Sequence, residues 1–332
     1  RRSLDDVGDE IITLTEKLSR SRGLAGKFSG LPRLLGLLQL APFRKPGRGE
    51  CQEIIEPVAD LGILPVLKCW PYDGGRYITL PLVHTIHPVT GSTNVGMYRM
   101  QVFTETQTGM HWQIHKGGGF HFYEAEQLER PLPVTVFLGG PPALTVAAIT
   151  ALPEPLPELL YASFLLGDKI AMTRIPGHPH PLVAEAEFAM CGVVPPQVRK
   201  PEGPFGDHYG YYSLVHDFPV FNISRLFHRR DAIFPATVVG KPRQEDYYIG
   251  EWMQELISPI FPLLMPGVKK LRSYAEAGFH TLSAAVVRES YFREALAHSF
   301  RILGEGQLSL TKVLLVTDVE LDLCDFPHLL ET

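Results

Sequence analysis

Short apolar and β-branched runs dominate the middle of the chain, between about residues 60 and 240. Examples are Tyr77–Leu80 and Met97–Phe103, which mix apolar and polar side chains and lie between breaks made by Gly and Pro. Alternation with a period of two is typical of strands that bury one face. We therefore predict a mainly β body, with helices at Glu124–Leu128 and, on the spacing of its leucines, at Leu156–Leu166.

The pattern changes after about residue 245, where longer amphipathic segments alternate with short apolar ones. This alternation predicts α/β structure in the order helix, strand, helix, strand at Glu251–Ile257, Thr281–Val287, Tyr291–Ile302 and Val313–Thr317. Near the other end of the chain, two further helices are predicted, one over residues 4–20 and one over residues 32–42.

The composition indicates a folded protein with a sizeable core, because 45% of the 332 residues are hydrophobic. A formal net charge of -5 gives no indication of a nucleic-acid surface. The longest uncharged run lies between Pro131 and Pro153, but Gly139-Gly140-Pro141-Pro142 interrupts it. A strand, a turn and a helix explain this run better than a membrane span does.

Four cysteines are present, and they form neither a CxxC pair nor a spacing typical of zinc sites. We expect four free thiols in a reduced, cytoplasmic setting. The chain starts with Arg1-Arg2-Ser3, without an apolar signal segment, so no export is implied.

The densest group of chemically versatile residues is formed by Asn94–Gln101 and His111–Gly119. If both runs are adjacent strands, Arg99 and Lys116 can face an anionic group while the glycines allow its close approach. The alternative is a solvated hairpin with a glycine-rich turn.

A second group places Glu202 and Asp207 on either side of a Gly-Pro-Phe-Gly turn. Two carboxylates close together in an aromatic cleft would have a raised pKa, which suits a proton donor. The alternative is a surface turn in which Asp207 caps local backbone N–H groups.

Two weaker candidates are a carboxylate and a histidine pair. Glu158 begins an apolar helix, where it can serve the helix dipole or bind a hard cation. His178 and His180 stand in a Gly-His-Pro-His-Pro segment, which is more typical of a loop than of a metal site.

Four of these segments occur in the order and approximate spacing of the UbiD decarboxylase family: Asn94–Arg99, His111–Gly118, Leu156–Glu158 and Glu202–His208. The chain resembles that family from about Ser3 to near its C-terminus. The resemblance implies an α+β fold in which a central split β-barrel, like that of flavin reductases, is flanked by helices and followed by a partial α/β C-terminal domain. Family members have further N-terminal and C-terminal regions, so we expect this chain to be a fragment.

The same resemblance implies a domain organisation and a set of ligands. Residues 1–50 would be a helical linker from a missing N-terminal domain, residues 51–242 the cofactor-binding split barrel, and residues 243–332 the partial C-terminal domain. The implied ligands are prenylated FMN (prFMN), Mn²⁺ or Mg²⁺, and K⁺. The matching metal positions are Asn94, His115 and Glu158.

The resemblance also assigns roles in catalysis and cofactor binding. Arg99, Glu202 and Asp207 match the catalytic Arg-acid-acid network, with Asp207 at the proton-donor position. The stretches that hold the cofactor match Met97, Tyr98, Arg99, His111, Trp112, Gln113, Lys116 and Gly117.

The implied function is reversible, non-oxidative decarboxylation of an aromatic or unsaturated acid. In this family, Asp at the donor position accompanies hydroxybenzoate substrates. Four segments together most resemble the menaquinone-biosynthesis decarboxylases of the futalosine route: Lys68–Pro71, Asn94–Gln101, Thr108–Gln113 and His115-Lys116. This likeness implies a dihydroxynaphthoate substrate and at most peripheral membrane contact. Expected partners are a flavin prenyltransferase that supplies the cofactor and further copies of the chain, in a dimer or hexamer. The alternatives are an FMN-binding split-barrel oxidoreductase and a non-catalytic assembly subunit.

Overall fold

The computed structural model describes residues 40–112, 117–150, 157–258 and 261–332. These residues fall into two compact units, residues 40–239 and residues 240–332, which are described separately. The helices predicted at residues 4–20 and, for the most part, 32–42 lie outside the described residues.

The first unit is mainly β-structure with three α-helices among its described residues. Its strands are β1 Phe43–Arg44, β2 Ile54–Ile55, β3 Tyr77–Ile78, β4 Leu82–Ile86, β5 Thr93–Met97, β6 Met100–Thr104, β7 Gln107–Gly109, β8 Leu132–Leu138, β9 Ala171–Thr173, β10 Leu182–Val183, β11 Phe188–Val194, β12 Arg199–Glu202 and β13 His216–His228. Its helices are α1 Gly117–Gln127, α2 Pro142–Ile149 and α3 Glu158–Leu166, and short 3₁₀ turns occur at Glu50–Gln52 and Leu61–Ile63.

Eight strands form an antiparallel path in the order β3-β6-β7-β13-β11-β8-β4-β5. Strand β5 is at one end of this path, whereas β6 is next to the other end, yet only Tyr98 and Arg99 join them. In a flat sheet these strands would be roughly 29 Å apart, but the connection spans at most about 11 Å. The sheet is therefore curled, as in a split barrel, and the predicted α+β fold class is confirmed.

The two faces of this sheet bury different sets of side chains. On β8, Val134, Val136 and Leu138 belong to one core cluster, together with apolar residues of α1. The intervening Phe137 belongs to a second cluster that includes residues of α2 and α3. The period-two alternation of a strand with both faces covered explains this division.

Within the uncharged run, residues 132–138 form β8 and residues 142–149 form α2, and Gly139 and Gly140 between them both have positive φ, which confirms the strand-turn-helix interpretation. None of the helices formed by the described residues has the length and apolarity that a membrane crossing requires. All four cysteines, Cys51, Cys69, Cys191 and Cys324, are free thiols, as predicted.

Neither arrangement considered for Asn94–Gln101 and His111–Gly119, adjacent strands or a hairpin with a glycine-rich turn, agrees with the glycines of the second segment. Gly117, Gly118 and Gly119 open helix α1 and form no turn between strands. The physical reason is close packing: a β-carbon at Gly118 would lie 2.7 Å from Nε1 of Trp112, so this helix start fits only without side chains.

The second unit combines a three-stranded sheet with helices. Its elements are α4 Glu245–Ile257, α5 Phe261–Leu264, β14 Val268–Ser273, β15 Leu282–Val287, α6 Glu294–Leu303, β16 Val313–Thr317 and α7 Phe326–Glu331, with 3₁₀ turns at Ala275–Ala277 and Gly306–Leu310. Strands β15 and β16 are parallel and α6 connects them, as the predicted α/β pattern requires. The domain boundaries at residues 50 and 242 stay a prediction.

Candidate active site

Arg99 lies at the point where the curled sheet passes from β5 to β6, and its guanidinium group contacts two carboxylates. Its Nε donates to Oε1 of Glu202 at 3.0 Å, and its Nη2 donates to Oε2 of the same residue at 3.3 Å. Its Nη1 donates to Oδ2 of Asp207 at 3.3 Å. The guanidinium carbon also lies 4.4 Å from the ring centre of Phe205. One cation therefore lies between both acids of the predicted network.

Glu202 ends strand β12 and is 1% exposed. His111 approaches its Oε2, with Nδ1 at 3.0 Å, so the buried carboxylate has partners on both oxygens. Burial alone would raise the pKa of Glu202, but the hydrogen bonds of His111 and Arg99 outweigh it and lower this pKa. His111 is thus part of the acid network, a contact that the resemblance to cofactor-binding positions did not specify.

Asp207 lies in the loop that joins β12 to β13. Its Oδ1 accepts from the backbone N of His208 at 2.7 Å and lies 2.6 Å from Nδ1 of the same residue. Burial raises the pKa of Asp207, but the bonds and charge of His208, and then the charge of Arg99, lower it overall. The prediction that a carboxyl pKa is raised in this cluster is therefore wrong, because Arg99 and His208 supply positive charge and donors.

The loop of Asp207 is held by side chains that the sequence patterns did not single out. Ser213 Oγ accepts from the backbone N of Phe205 at 3.1 Å and from Arg99 Nη2 at 3.4 Å. Gln101 Oε1 accepts from the backbone N of Gly203 at 2.8 Å, and Tyr77 donates to Pro204 O at 3.2 Å. Gln101 lies on β6 and Tyr77 lies on β3, the two strands at one end of the sheet, so this end of the sheet positions the loop that carries Asp207. In the sequence, the only signal for these contacts was the proximity of Gln101 to Arg99.

A second group of predicted residues forms where β5 meets the start of α3. The carboxylate of Glu158 accepts from the backbone N of Val95 at 3.1 Å, which places it one residue from Asn94. Burial raises the pKa of Glu158, although backbone hydrogen bonds partly oppose this. Glu158 is half-buried, and a carboxylate and an amide oxygen are ligand types suited to a hard cation such as Mn²⁺, Mg²⁺ or K⁺. His115, the third predicted metal position, lies outside the described residues.

The start of α1 closes this second group. Tyr98 is buried, and its hydroxyl group accepts from Asn94 Nδ2 at 3.3 Å and from the backbone N of Gly118 at 3.2 Å. A β-carbon at Gly117 would lie 2.1 Å from Asn94 Oδ1, so glycine is required there. Backbone N–H groups at a helix start are suited to a phosphate, but here the N–H group of Gly118 donates to Tyr98 and the space beside Gly117 is filled by Asn94.

The other residues predicted to bind the cofactor differ in how the structure places them. Trp112 is buried, and its Nε1 has no hydrogen-bond partner in the part of the chain that the structure describes. Buried N–H groups are normally paired, so this group is suited to donate a hydrogen bond to a bound cofactor. Met97 packs against the second core cluster from a half-buried position. Gln113 and Lys116 lie outside the described residues. The site residues that are described thus fit a phosphate-bearing flavin with a hard cation.

Strand β5 connects the two groups, because Asn94 lies on it and Tyr98 and Arg99 follow it directly. His178 and His180 are elsewhere, in the loop between β9 and β10, where they line a separate cavity of about 400 Å³ with Arg44 and Arg174. Within the described ranges, no group of three or more His, Cys, Asp or Glu side chains could hold a metal ion. The loop interpretation of the histidine pair therefore agrees with the structure.

Two family models match most of the chain. The "3-octaprenyl-4-hydroxybenzoate carboxy-lyase Rift-related domain" matches residues 44–242, and the C-terminal domain of the same carboxy-lyase matches residues 247–332. The matched residues include both the curled sheet and the Arg99 network. The chain belongs to the UbiD family.

Two proteins with more than 30% sequence identity to this chain come from Chlamydia pneumoniae and Aquifex aeolicus. A Chlamydia pneumoniae protein, named as one of the subunits of a 4-hydroxybenzoate decarboxylase, is 52% identical over 325 residues, which are 97% of this chain and 54% of that protein. An uncharacterised protein of Aquifex aeolicus is 34% identical over 330 residues, 99% of this chain and 68% of that protein. The chain spans about half the length of the chlamydial relatives that it matches.

Solved structures share the fold at lower identity. An evolved dimeric form of the UbiD-class enzyme HmfF from Pelotomaculum thermopropionicum, in complex with prFMN, matches with a TM-score of 0.76 and 23% identity, over 97% of this chain and 71% of that one. Vanillic acid decarboxylase of Sedimentibacter hydroxybenzoicus, in closed form, matches with a TM-score of 0.81 and 24% identity, over 93% and 67% of the two chains.

Proposed function

We propose that this chain carries the active site of a non-oxidative decarboxylase that replaces the carboxylate of an aromatic or unsaturated acid by a proton, using prFMN. The observation that carries the proposal is the contact of one guanidinium group, that of Arg99, with both Glu202 and Asp207. An ordinary flavin oxidoreductase has no need for a proton donor held in this way. Relatives named or described as decarboxylases support the reaction class.

In this proposal the cofactor is held by the second group of residues. Tyr98, Trp112 and the start of α1 would contact the flavin and its phosphate, while Asn94 and Glu158 would bind a divalent cation or K⁺ beside the phosphate. When bound, prFMN supplies an electrophilic centre that accepts electron density from the substrate while CO2 leaves. A homologous structure that contains prFMN supports this choice of cofactor.

The acid network would handle charge and the proton. Arg99 would attract the substrate carboxylate and hold it near Asp207. Glu202, buried and ionised, would keep Arg99 in place and balance its charge. Asp207, in its protonated form, would deliver one proton to the carbon that loses CO2, and would then take a proton from solvent. Its side chain is 30% exposed, which permits that return.

The substrate class that we propose is a hydroxybenzoate or a dihydroxynaphthoate of quinone biosynthesis. Two observations support it: the proton-donor position is Asp, and the Chlamydia pneumoniae relative is named for the decarboxylation of 4-hydroxybenzoate. Supply of the cofactor by a flavin prenyltransferase, self-association into a dimer or hexamer, and a cytoplasmic location belong to the same proposal.

The test is decarboxylation by protein that has been co-expressed with a flavin prenyltransferase and purified with Mn²⁺ and K⁺. We expect a released cofactor with the mass of prFMN, and CO2 release from a hydroxybenzoate or a hydroxynaphthoate. Asp207→Asn should lower the rate by about 100-fold or more, because general acids contribute about that much.

The matched control is Asp217→Asn, an exposed aspartate on β13 of the same unit. It should leave the rate within about twofold. Full activity in Asp207→Asn would exclude the proton-donor role. Repeated isolation of folded protein without a flavin would favour a non-catalytic assembly subunit, whereas unmodified FMN with NAD(P)H oxidation would favour an oxidoreductase.

A further inference from the structure

A buried aspartate outside the Arg99 network connects two loops of the first unit. Asp73 is 4% exposed and lies in the turn that follows Trp70. Its Oδ2 accepts from the backbone N of Trp70 at 2.8 Å, and its Oδ1 accepts from the backbone N of Gly206 at 2.8 Å. The first bond closes a local turn of an ordinary kind. The second joins residues that are 133 positions apart and ends one residue before Asp207.

The turn of Asp73 and the loop of Asp207 pack closely against each other. The backbone N of Gly74 donates to Pro204 O at 2.7 Å, and a β-carbon at Gly74 would lie 2.0 Å from Gly203 O. A β-carbon at Gly206 would lie 2.3 Å from Cδ1 of Trp70. The backbones therefore touch directly, and a displacement of one loop moves the other.

The turn that carries Asp73 is itself fixed. Trp70 Nε1 donates to Val239 O at 2.7 Å, which holds the indole group against the loop of Gly206. Trp70 belongs to the segment Lys68–Pro71, one of those on which the likeness to the menaquinone-biosynthesis decarboxylases rests. Its side chain therefore supports the loop between β12 and β13 that carries Asp207, here called the acid loop.

We propose that Asp73 is a positioning residue for the proton donor: by holding the backbone N of Gly206, it sets the distance between Asp207 and the guanidinium group of Arg99. This inference rests on the proposed function. The Arg99–Asp207 contact is 3.3 Å long, which is longer than the usual range of about 2.7–2.9 Å for a charged hydrogen bond, so a small shift of the loop separates the two groups. Asp73 needs no contact with the substrate, because it acts through Gly206.

The first experiment compares Asp73→Asn and Asp73→Ala with the wild-type holoenzyme. Asparagine keeps one acceptor oxygen for two N–H donors, and alanine keeps none. We expect kcat to fall about tenfold in Asp73→Asn and about 100-fold in Asp73→Ala, the size of effect that a misplacement of about 1 Å produces. KM should stay within about threefold, because Arg99 and Glu202 keep their mutual bonds.

The matched control is Asp60→Asn. Asp60 also accepts from a backbone N–H group, that of Gly62 at 2.7 Å, but in an exposed turn with no bond to the acid loop. This variant should lose a comparable capping bond and keep the wild-type kcat.

A second measurement needs no bound cofactor. Hydrogen–deuterium exchange of the peptide over residues 203–213 should be faster in both Asp73 variants than in the wild-type apoprotein, because the amide of Gly206 loses its acceptor. Unchanged exchange in this peptide would show that the bond from Gly206 to Asp73, here called the tether, does not hold the loop. Faster exchange with an unchanged kcat would overturn the positioning role, as would a loss of kcat that only parallels a loss of bound flavin. A wild-type holoenzyme that releases no CO2 would instead contradict the proposed function, while the exchange result would still test the tether.

Discussion

Gly117 packs so closely against Asn94 that a β-carbon would come within 2.1 Å of the amide oxygen Oδ1. This amide oxygen is one of the ligands that we propose for the cation. The start of α1 and the start of β5 therefore determine together where that ligand lies.

We expect Gly117→Ala to displace the Asn94 side chain and to weaken retention of both cation and flavin. The measurement is metal and flavin content after gel filtration, which should fall at least severalfold relative to wild type. The control is Gly91→Ala, in the turn between β4 and β5, where a β-carbon has open space but φ is +75°. That variant should lose stability through backbone strain and keep its ligands. Equal ligand loss in both variants would mean that general destabilisation is the cause.

Glu202→Gln should destabilise the first unit, because the buried carboxylate receives donors from both Arg99 and His111. We expect the free energy of unfolding at pH 7 to fall by about 1.5–3 kcal/mol, the usual range for hydrogen bonds to a charged group. Urea denaturation, followed by tryptophan fluorescence, measures this difference. The exposed control Asp217→Asn should change it by less than about 0.5 kcal/mol.

The loss of stability in Glu202→Gln should also depend on pH. The folded pKa of Glu202 is lowered from its ordinary value of 4.5, so the unfolded chain binds protons more readily than the folded one. Its contribution to stability is present above pH 4.5 and is lost as the pH falls through the lower, folded pKa. The difference in unfolding free energy between wild type and Glu202→Gln should therefore shrink between pH 5 and pH 3. A constant difference over that range would contradict the lowered pKa.

His208→Gln should move the pH dependence of turnover. The hydrogen bonds and charge of His208 are the main cause that lowers the pKa of Asp207, so their removal should raise this pKa. If Asp207 must be protonated to donate, activity falls as the pH rises through its pKa, and the raised pKa moves this alkaline limb to higher pH. His216→Gln, an exposed histidine on β13, is the control and should leave the limb in place. A shift to lower pH in His208→Gln would contradict the assignment.

Phe137→Ala should affect stability and not chemistry. Phe137 is fully buried on β8, in the cluster that packs between the sheet and α2 and α3. Loss of its ring should lower the free energy of unfolding by about 3–5 kcal/mol. Thermal denaturation measures this, and Val193→Ala on the neighbouring strand β11, at a position 37% exposed, is the milder comparison.

Local pattern predicted many elements because their hydrophobic periodicity agrees with their tertiary environment. The strand at Val313–Thr317 and the helix of the second unit that ends at Ile257 are examples. Strand β14, Val268–Ser273, was missed, because its two lysines and one arginine obscure the alternation. The glycine run at the start of α1 was also misjudged, since glycine has low helix propensity and only packing against Trp112 and Asn94 explains it.

The site was predictable as a set of residues but not as a network. Ordered motifs indicated Arg99, Glu202 and Asp207, and the structure brings all three together. No sequence pattern could show that His111 and Arg99 contact Glu202, or that His208 and Arg99 contact Asp207, and these contacts lower the pKa of both acids where a raised pKa was expected. The bond from Asp73 to Gly206 was equally hidden, since 133 positions separate the two residues.

The passage of the chain from β5 to β6 through Tyr98 and Arg99 restricts how this protein can vary. Asn94 and Arg99 are five positions apart on a segment that is paired at both ends, so one inserted residue would shift either the cation ligand or the guanidinium group out of register. The loop between β12 and β13 is restricted in a different way, by the bridge between Gly206 and Tyr212 and by the bonds that Ser213 Oγ accepts from Phe205 N and Arg99. The length from 94 to 99 is therefore expected to stay fixed in any variant that keeps both groups of site residues.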